Sequence, residues 1–415
     1  SVGGTENVIQ VLHGRYALNI PVDPLPRGTW IKCAGERRTV WSVGGDGFDV
    51  FTTGGEICRF SEMNFELGAG LTWRNDGAFI RVNHPQALVE HVRAGPANLN
   101  IDINGDNSVV RDVSGFWGPS VSADSSLVRI RKGYCSVVGV RSPTTTSYAP
   151  AALVHIGGEG AGGIDSTLVD DVFTRSPGVS VLVDAANGHI RDVQISNLRD
   201  YITAGAPEAL VKLRAGGGVV ENVRIDNWRA NSRHVDAIVA HAEGANITAL
   251  NVGQGRASGS SGAAVKLVAE AGRTISGVLI GDDADIYGRA TPILKTGLGS
   301  IAKPTVMPIN GPARMAALGV VKQVTLADQS VYVIPMGVGV FNGSIEITTN
   351  QFQTPKGKWA FRAGPDPYLQ AFPNGVIFPE KVELSTSEMT GTNGTDEVMT
   401  VSATSNGTLY VQNRL

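Results

Sequence analysis

The sequence predicts an all-β protein: a parallel solenoid of short strands followed by a second, antiparallel β domain. Three observations lead there. Glycine supplies 52 of 415 residues while charged residues make up 18% and aromatics 6%, a balance that favours strands and turns over helices. Short apolar pairs recur at a nearly constant spacing from residue 80 to beyond residue 260. After residue 319 the pattern changes to longer alternating stretches punctuated by Asn-Gly.

The first strand run is marked by Ile80/Val82, Ile101/Ile103, Val128/Ile130, Val154/Ile156, Val181/Val183, Val211/Leu213, Val239/His241 and Val265/Leu267, whose first members lie 21, 27, 26, 27, 30, 28 and 26 residues apart. A second run alternates with it, ending at Val113, Val140, Val172, Val193, Val223, Leu250 and Val278. The repeat is plainest where GHIRDVQISNLRDY (188–201) is followed by GVVENVRIDNWRANS (218–232). Alternation with period two puts every other side chain on one face. One such unit cannot bury that face alone, but units stacked about 4.8 Å apart pair every strand with its copies and form a continuous apolar column. A period near 27 is too short for propeller blades, and no leucine-rich signature is present. In the matched pair, Ile190, Val193 and Ile195 fall against Val220, Val223 and Ile225, and Asn197 against Asn227 at a turn where stacked amides can form a ladder.

The spacing, the Gly and Asn turns and VLHGRYALNIPVDPLPRGTWIKCAG (11–35) resemble the pectate-lyase-like right-handed β-helix superfamily, in which a P-x-G-x-Y strand followed by G-x-x-I-x-G-x-G opens the helix. His13 stands in the proline position, and no Asp- and Ala-rich capping segment precedes it in the residues from Ser1 on. The resemblance implies that a preceding region, trimmed here, would join further tail proteins. The end, GTLYVQNRL (407–415), resembles the terminal strand of the C-terminal sandwiches on trimeric phage tail spikes and fibres. The expected organisation is a right-handed parallel β-helix over 1–288, a proline-containing linker over 289–318, and a C-terminal antiparallel β-sandwich-like domain over 319–415 serving trimerisation or carbohydrate binding.

Composition excludes several function classes. A net charge of -3, from 35 basic and 38 acidic residues without a basic run, argues against a nucleic-acid partner. No apolar stretch reaches the eighteen or so residues of a membrane span, and no secretory leader opens the chain, so no membrane insertion is expected. Cys33, Cys58 and Cys135 are odd in number and lack C-x-x-C spacing, which fits buried thiols better than zinc or disulfides. No P-loop, dinucleotide fingerprint, nucleophile elbow or zincin motif is present, so neither a cofactor nor a metal is expected. GGEGAGG (157–163) reads as a turn. The Asn-Gly sequons at Asn342, Asn393 and Asn406 read as hairpin turns, while Asn246 carries a further N-x-T.

Loop length then points to a site, because loops at equivalent positions of a solenoid stack along one edge. The long ones are GFWGPSVSADSS (115–126), SPTTTSYAPAA (142–152), SNLRDYITAGAPEA (196–209) and NWRANSRHVDA (227–237). Trp117, Tyr148, Tyr201 and Trp228 would line that edge beside Arg199, Arg233 and His234, unless the aromatics merely cap the core. Aromatics beside carboxylates and arginines suit a carbohydrate groove. For glycoside hydrolysis, Asp200 or Asp236 would be the base and Glu208 the acid. A lyase would instead use His234 or Tyr201 as base, with Arg199 and Arg233 neutralising a uronate. A further acidic set, Asp112, Asp170, Asp171, Asp192 and Glu221, reads as a solvated turn row beside Arg111 and Arg191. His241 reads as a satisfied core histidine.

Three functions follow. The leading one is a tailspike-like, trimeric protein of the virion tail or extracellular space that binds and depolymerises a bacterial surface polysaccharide, O-antigen or capsule, by glycoside hydrolysis. The second is a receptor-binding or structural fibre without turnover. The third is a secreted lyase or epimerase on a pectin- or alginate-like polymer.

Overall fold

The computed structural model describes residues 7–306 except 36–37, 72–73, 75, 116–124, 143–150, 159, 176–177, 203–205, 232, 260–261, 282–283, 287–288 and 290, and beyond them the strands and adjoining residues named below. The chain divides into two units, Ser1–Met307 and Pro308–Leu415. The first is a right-handed parallel β-solenoid of about nine turns. One wall is a ten-stranded parallel sheet that runs, turn by turn, from Phe51–Thr52 through Ile80–Val82, Leu99–Ile103, Ser126–Ile130, Ala152–Gly157, Val179–Asp184, Val211–Ala215, Ile238–Ala242 and Ala263–Ala269 to Thr291–Thr296.

Within this wall the register is residue for residue. Ile80, Ile101, Val128, Val154, Val181 and Val211 form one column, which continues through Ile238 to Val265. The expected pair Val239/His241 is therefore displaced by one: Ile238 and Ala240 face inward, and His241 faces outward, its Nε2 3.2 Å from Glu270 Oε1. Val239 follows Leu182 and Lys212 in register, so an aliphatic residue occupies an outward position on this turn and mimics the inward one.

The remaining walls are made by strands that bend without breaking. Ile164–Thr174, Ile190–Asp200 and Val220–Ala230 are each eleven residues long and each turns two corners. All described non-glycine residues with positive φ, at 47° to 62°, supply these corners. In register they form two columns. One is Ile57, Gln86, Asn107, Tyr134, Ser166, Asp192, Asn222 and Ala249, closing at Gly277; the other is Glu62, His91, Asp112, Gly139, Asp171, Asn197 and Asn227. A left-handed residue costs about 1–2 kcal/mol unless it is Gly, Asn or Asp, which explains why acids and amides gather here. The acidic set thus belongs to the corners: Asp112, Asp171 and Asp192 occupy them, with Asp170 and Glu221 alongside. Asn227 donates to the Asn197 amide oxygen, and Asn222 Nδ2 to Asp192 at 2.5 Å. The expected alignment of Val172 with Val193 shifts, since Val172 stacks on Leu198, and Val193 lies between Thr167 and Val223.

Trp228 fills the inward column of Val140, Val172 and Leu198, at 2% exposure, so it does not line an outer edge. Its indole N–H donates to Gly253 O at 3.2 Å. Gly255 lies against it on the next turn, where an added Cβ would stand 2.2 Å from the ring. Cys33, Cys58 and Cys135 are free and buried, and burial pushes the Cys33 and Cys135 thiols up to about 11.

The expected linker is partly solenoid. Thr291–Thr296, Ser300–Ile301 and Thr305–Val306 pair in parallel with Ala263–Ala269, Thr274–Ser276 and Leu279–Ile280, so the stack runs past residue 288. Prolines hid this turn, because they interrupt the alternation without breaking the stack. In the second unit, Phe341–Ile347, Gly357–Ala363 and Tyr368–Ala371 form an antiparallel sheet. Ser330–Pro335, Thr408–Asn413, Met399–Ala403 and Val382–Ser385 form another, whose last pairing is parallel. Asn342 and Gly343 lie within a strand, paired with Arg362 and Phe361, which overturns the hairpin reading at that site. Asn393 and Asn406 lie outside the described residues.

Ala249 is an exposed corner residue at φ 55°. Ala249→Gly is expected to stabilise the fold by about 0.5–1 kcal/mol by relieving the left-handed strain. Gly255→Ala is expected to destabilise it by about 1–3 kcal/mol by crowding the indole. Urea or thermal unfolding checks both.

Candidate functional site

The loops expected to carry the site contain a buried polar cluster. Asp200 ends the strand Ile190–Asp200, and its alternation turns the carboxylate inward while Arg199 points out. The carboxylate is wholly enclosed. It accepts the backbone N–H of Asn231 at 3.1 and 3.2 Å and contacts His234 Nε2. His234 is equally enclosed, and its Nδ1 has no hydrogen-bond partner among the described residues. Arg289, absent from the sequence-based set, binds the carbonyls of His234 and Asn231 at 2.8 Å each. Asp236 is also buried, accepting the Ala263 N–H at 2.8 Å with Lys266 Nζ at 3.1 Å. Asp200 and His234 are thus brought together, but as an enclosed clamp that holds Asn231 and His234 in place. Asp236 fastens one turn to the next. The roles expected for these three in an open groove do not survive this placement.

The remaining candidates divide. Arg199, Arg233 and Tyr201 are exposed, Tyr201 to 62%, with the Arg175 guanidinium 5.7 Å from its ring centre. Glu208 is half exposed and bound to Lys212 at 2.8 Å. Trp117 and Tyr148 lie outside the described residues.

A second arrangement occupies the outer face of the ten-stranded wall. The residue between each inward pair points out, giving the column Arg81, Asp102, Arg129, His155, Leu182, Lys212, Val239 and Lys266. Opposite charges lock its upper half. Asp102, 1% exposed, lies 3.3 Å from Arg81, 3.2 Å from Arg129 and 2.9 Å from Arg131. Burial pushes its carboxyl up, and the charges of Arg131 and Arg81 oppose that. In the lower half the neighbouring column carries Asp184, Arg214 and His241.

Here the surface forms a groove of about 870 Å³ lined by Asp184, Asn187, Glu208, Lys212, Arg214 and Glu243, with Val179 and Leu182 as an apolar floor and Gly160, Ala186 and Gly216 keeping it open. Arg214 binds Glu243 at 2.6 Å and lies 3.6 Å from Asp184. The hydrogen bond from Arg214 holds the Glu243 carboxyl below its ordinary range, so Glu243 is an ionised acceptor and not a proton donor. Asp184 is 7% exposed, and its Oδ1 has no hydrogen-bond partner among the described residues. His155 Nε2 stands 3.8 Å from Asp184 Oδ2 with both ring nitrogens also unbonded. Three carboxylates, the Asn187 amide and two cations thus converge over an apolar floor. Such a surface fits a ligand rich in hydroxyls.

The signal for this groove is present in the sequence, in the polar residues that sit within and just after successive strands of this wall: Asp184, Lys212, Arg214 and Glu243. Because Asp200 serves the clamp, Asp200→Ala is expected to lower stability by about 2–4 kcal/mol through the stranded His234 and Asn231 groups. Denaturant unfolding measures this, and whatever folds should keep its groove.

No family model matches the sequence, and no curated protein matches it significantly. Among solved structures, the chain is similar to the A-module of a mannuronan C-5 epimerase from Azotobacter vinelandii, at 11% identity and TM-score 0.39 over 74% of this chain and 92% of that one. It is similar to the tailspike protein of Acinetobacter phage vB_ApiP_P1, at 10% identity and TM-score 0.31 over 98% of this chain and 78% of that one. It is similar also to the catalytic unit of a thermostable α-1,3-glucanase from Streptomyces thermodiastaticus, at 13% identity and TM-score 0.23 over 72% and 64%. These likenesses carry no argument about chemistry; the described turns themselves make residues 7–306 a right-handed parallel β-solenoid.

Proposed function

We propose that the chain is the body of a tailspike-like receptor-binding protein that binds a bacterial surface polysaccharide, O-antigen or capsule, and depolymerises it by glycoside hydrolysis. The observation that carries this reading is the groove on the ten-stranded wall, where Glu208, Asp184 and Glu243 from three successive turns face Lys212 and Arg214. A rigid wall of in-register strands presents these groups at fixed heights, which suits an extended sugar chain. Glu208 is the acid in this reading, being more exposed than Glu243 and free of the Arg214 hydrogen bond that keeps Glu243 ionised, and Asp184 is the partner carboxylate on the floor. The sequence resemblances at residues 11–35 and 407–415 support the tailspike assignment, with a C-terminal sandwich joining three copies and a location on the virion tail or outside the cell.

One feature favours a non-enzymatic receptor-binding fibre as the second reading. Glu208 and Glu243 are each bound to a cation, and Asp184 lies near one, which equips the groove for holding a ligand more plainly than for donating a proton. The test is incubation with purified lipopolysaccharide and capsule from a panel of bacteria, read by binding and by new reducing ends. Glu208→Gln is expected to abolish cleavage, by about a hundredfold or more, while binding persists. Binding without new reducing ends in the parent protein selects the fibre, and a protein that binds none of the panel contradicts both readings.

A further inference from the structure

The third wall carries a column of like charge. In register, the outward positions are Arg93, Ser114, Arg141, Phe173, Arg199, Arg229 and Arg256. Arg199, Arg229 and Arg256 follow one another on adjacent turns, about 4.8 Å apart along the backbone stack, and all three are exposed. Like charges directly opposite one another are unfavourable.

The neighbouring corner column shows that the repulsion is left uncompensated at two of these turns. Arg141 is paired at 3.3 Å with Asp171, the corner residue of the following turn. At the turns of Arg199 and Arg229 the corner residues are Asn197 and Asn227, which bind each other and bring no charge. The acid next in sequence to Arg199 is Asp200, enclosed and committed to His234 and Asn231. Asp226 is bound to Arg224. Neither Arg199 nor Arg229 has an ion-pair partner among the described residues. Higher on the same row, Ser114 and Arg141 line a concavity of about 540 Å³ with His91 and Asp112. Beside Arg199 the wall also carries a ring clamp, in which the Arg175 guanidinium lies 5.8 Å from the Phe173 ring centre and 5.7 Å from that of Tyr201.

We infer that this row binds an anionic polysaccharide, one whose sugars carry carboxylate or sulfate groups at short regular intervals, laid parallel to the solenoid axis. Forked guanidiniums repeated at the strand spacing match a polymer of repeated oxyanions, and the exposed Tyr201 ring offers a face for a sugar. A single row on a chain of net charge -3 favours such a polymer over a nucleic acid, which needs a broad basic footprint. The chain leads from Tyr201, beside this row, to Glu208 in the groove, so both surfaces border one corner. This inference rests on the polysaccharide-binding reading and adds the charge class of the ligand.

The experiment measures binding of polygalacturonate, dextran sulfate, unsubstituted dextran and single-stranded DNA at low and at physiological salt, to the parent protein and to the double variant Arg199→Gln, Arg229→Gln. Either charged polysaccharide should bind, more weakly as salt rises, and the two arms tell carboxylate from sulfate. The double variant should lose about tenfold or more in affinity, while melting no lower than the parent because a repulsion has been removed. Dextran or DNA binding as tightly as the charged polysaccharides, an unchanged affinity in the variant, or a lowered melting temperature would each overturn the inference. Capture of a bacterial polysaccharide that survives the double substitution leaves the receptor reading standing without this one. Polygalacturonate binding by a protein that captures no bacterial polysaccharide does the reverse.

Discussion

Everything in the solenoid depends on backbone hydrogen bonding between successive turns in strict register. Ile101, Val128, Val154, Val181 and Val211 share one column because a shift of one residue would turn a whole apolar set outward. That constraint reaches the corners. A turn that must lie on its copy must bend where its copy bends, so left-handed residues accumulate in two columns even where the side chain is as unsuited as Ile57 or Tyr134. Local strain is accepted there because stacking on both sides over-determines the conformation.

The same constraint governs the chemistry. Any outward position is repeated at the strand spacing, so a charge either meets its opposite on the next turn or meets its like. Both outcomes occur. Around Asp102 a single enclosed carboxylate draws three arginines together, one of them also bound to Asp49, which ties adjacent turns to one another. At the groove the pairing is looser, with Arg214 3.6 Å from Asp184 and Asp184 Oδ1 without a hydrogen-bond partner among the described residues. Along Arg199 and Arg229 neutral corner amides replace the acids found higher up, and the charge stays open to solvent. A solenoid of this kind places function where the column fails to satisfy itself.

How far the sequence could be read follows from the same physics. The period and the inward columns were legible because aliphatic side chains repeat at each turn, and the Asn197–Asn227 amide pair because both members are identical. The slip at Val239 arose because an aliphatic residue occupies an outward position there, in register with Leu182 and Lys212, beside the inward Ile238. Trp228 was expected outside because a tryptophan after a turn resembles a platform; its place in the core is set by Gly255, a glycine 27 residues away whose role only the register reveals. Asp200 and His234 look like surface chemistry in a polar loop, yet the strand's alternation carries Asp200 inward and the loop brings His234 over it. Glu208, Arg199 and Tyr201 remained accessible. The groove is not legible from one segment because its charged residues, Asp184, Glu208, Lys212, Arg214 and Glu243, are spread over three turns and meet only through the register.

The central claim is that polysaccharide is read by outward columns of the stacked turns. Hydrogen–deuterium exchange of the protein with and without a bound surface oligosaccharide tests it most directly. Slowed exchange confined to the segments 179–187, 208–216 and 241–244 around the groove, with or without 197–201 and 227–231 beside the arginine row, is the predicted result. Protection appearing only in the strands beyond residue 330, with these segments unchanged, would contradict it.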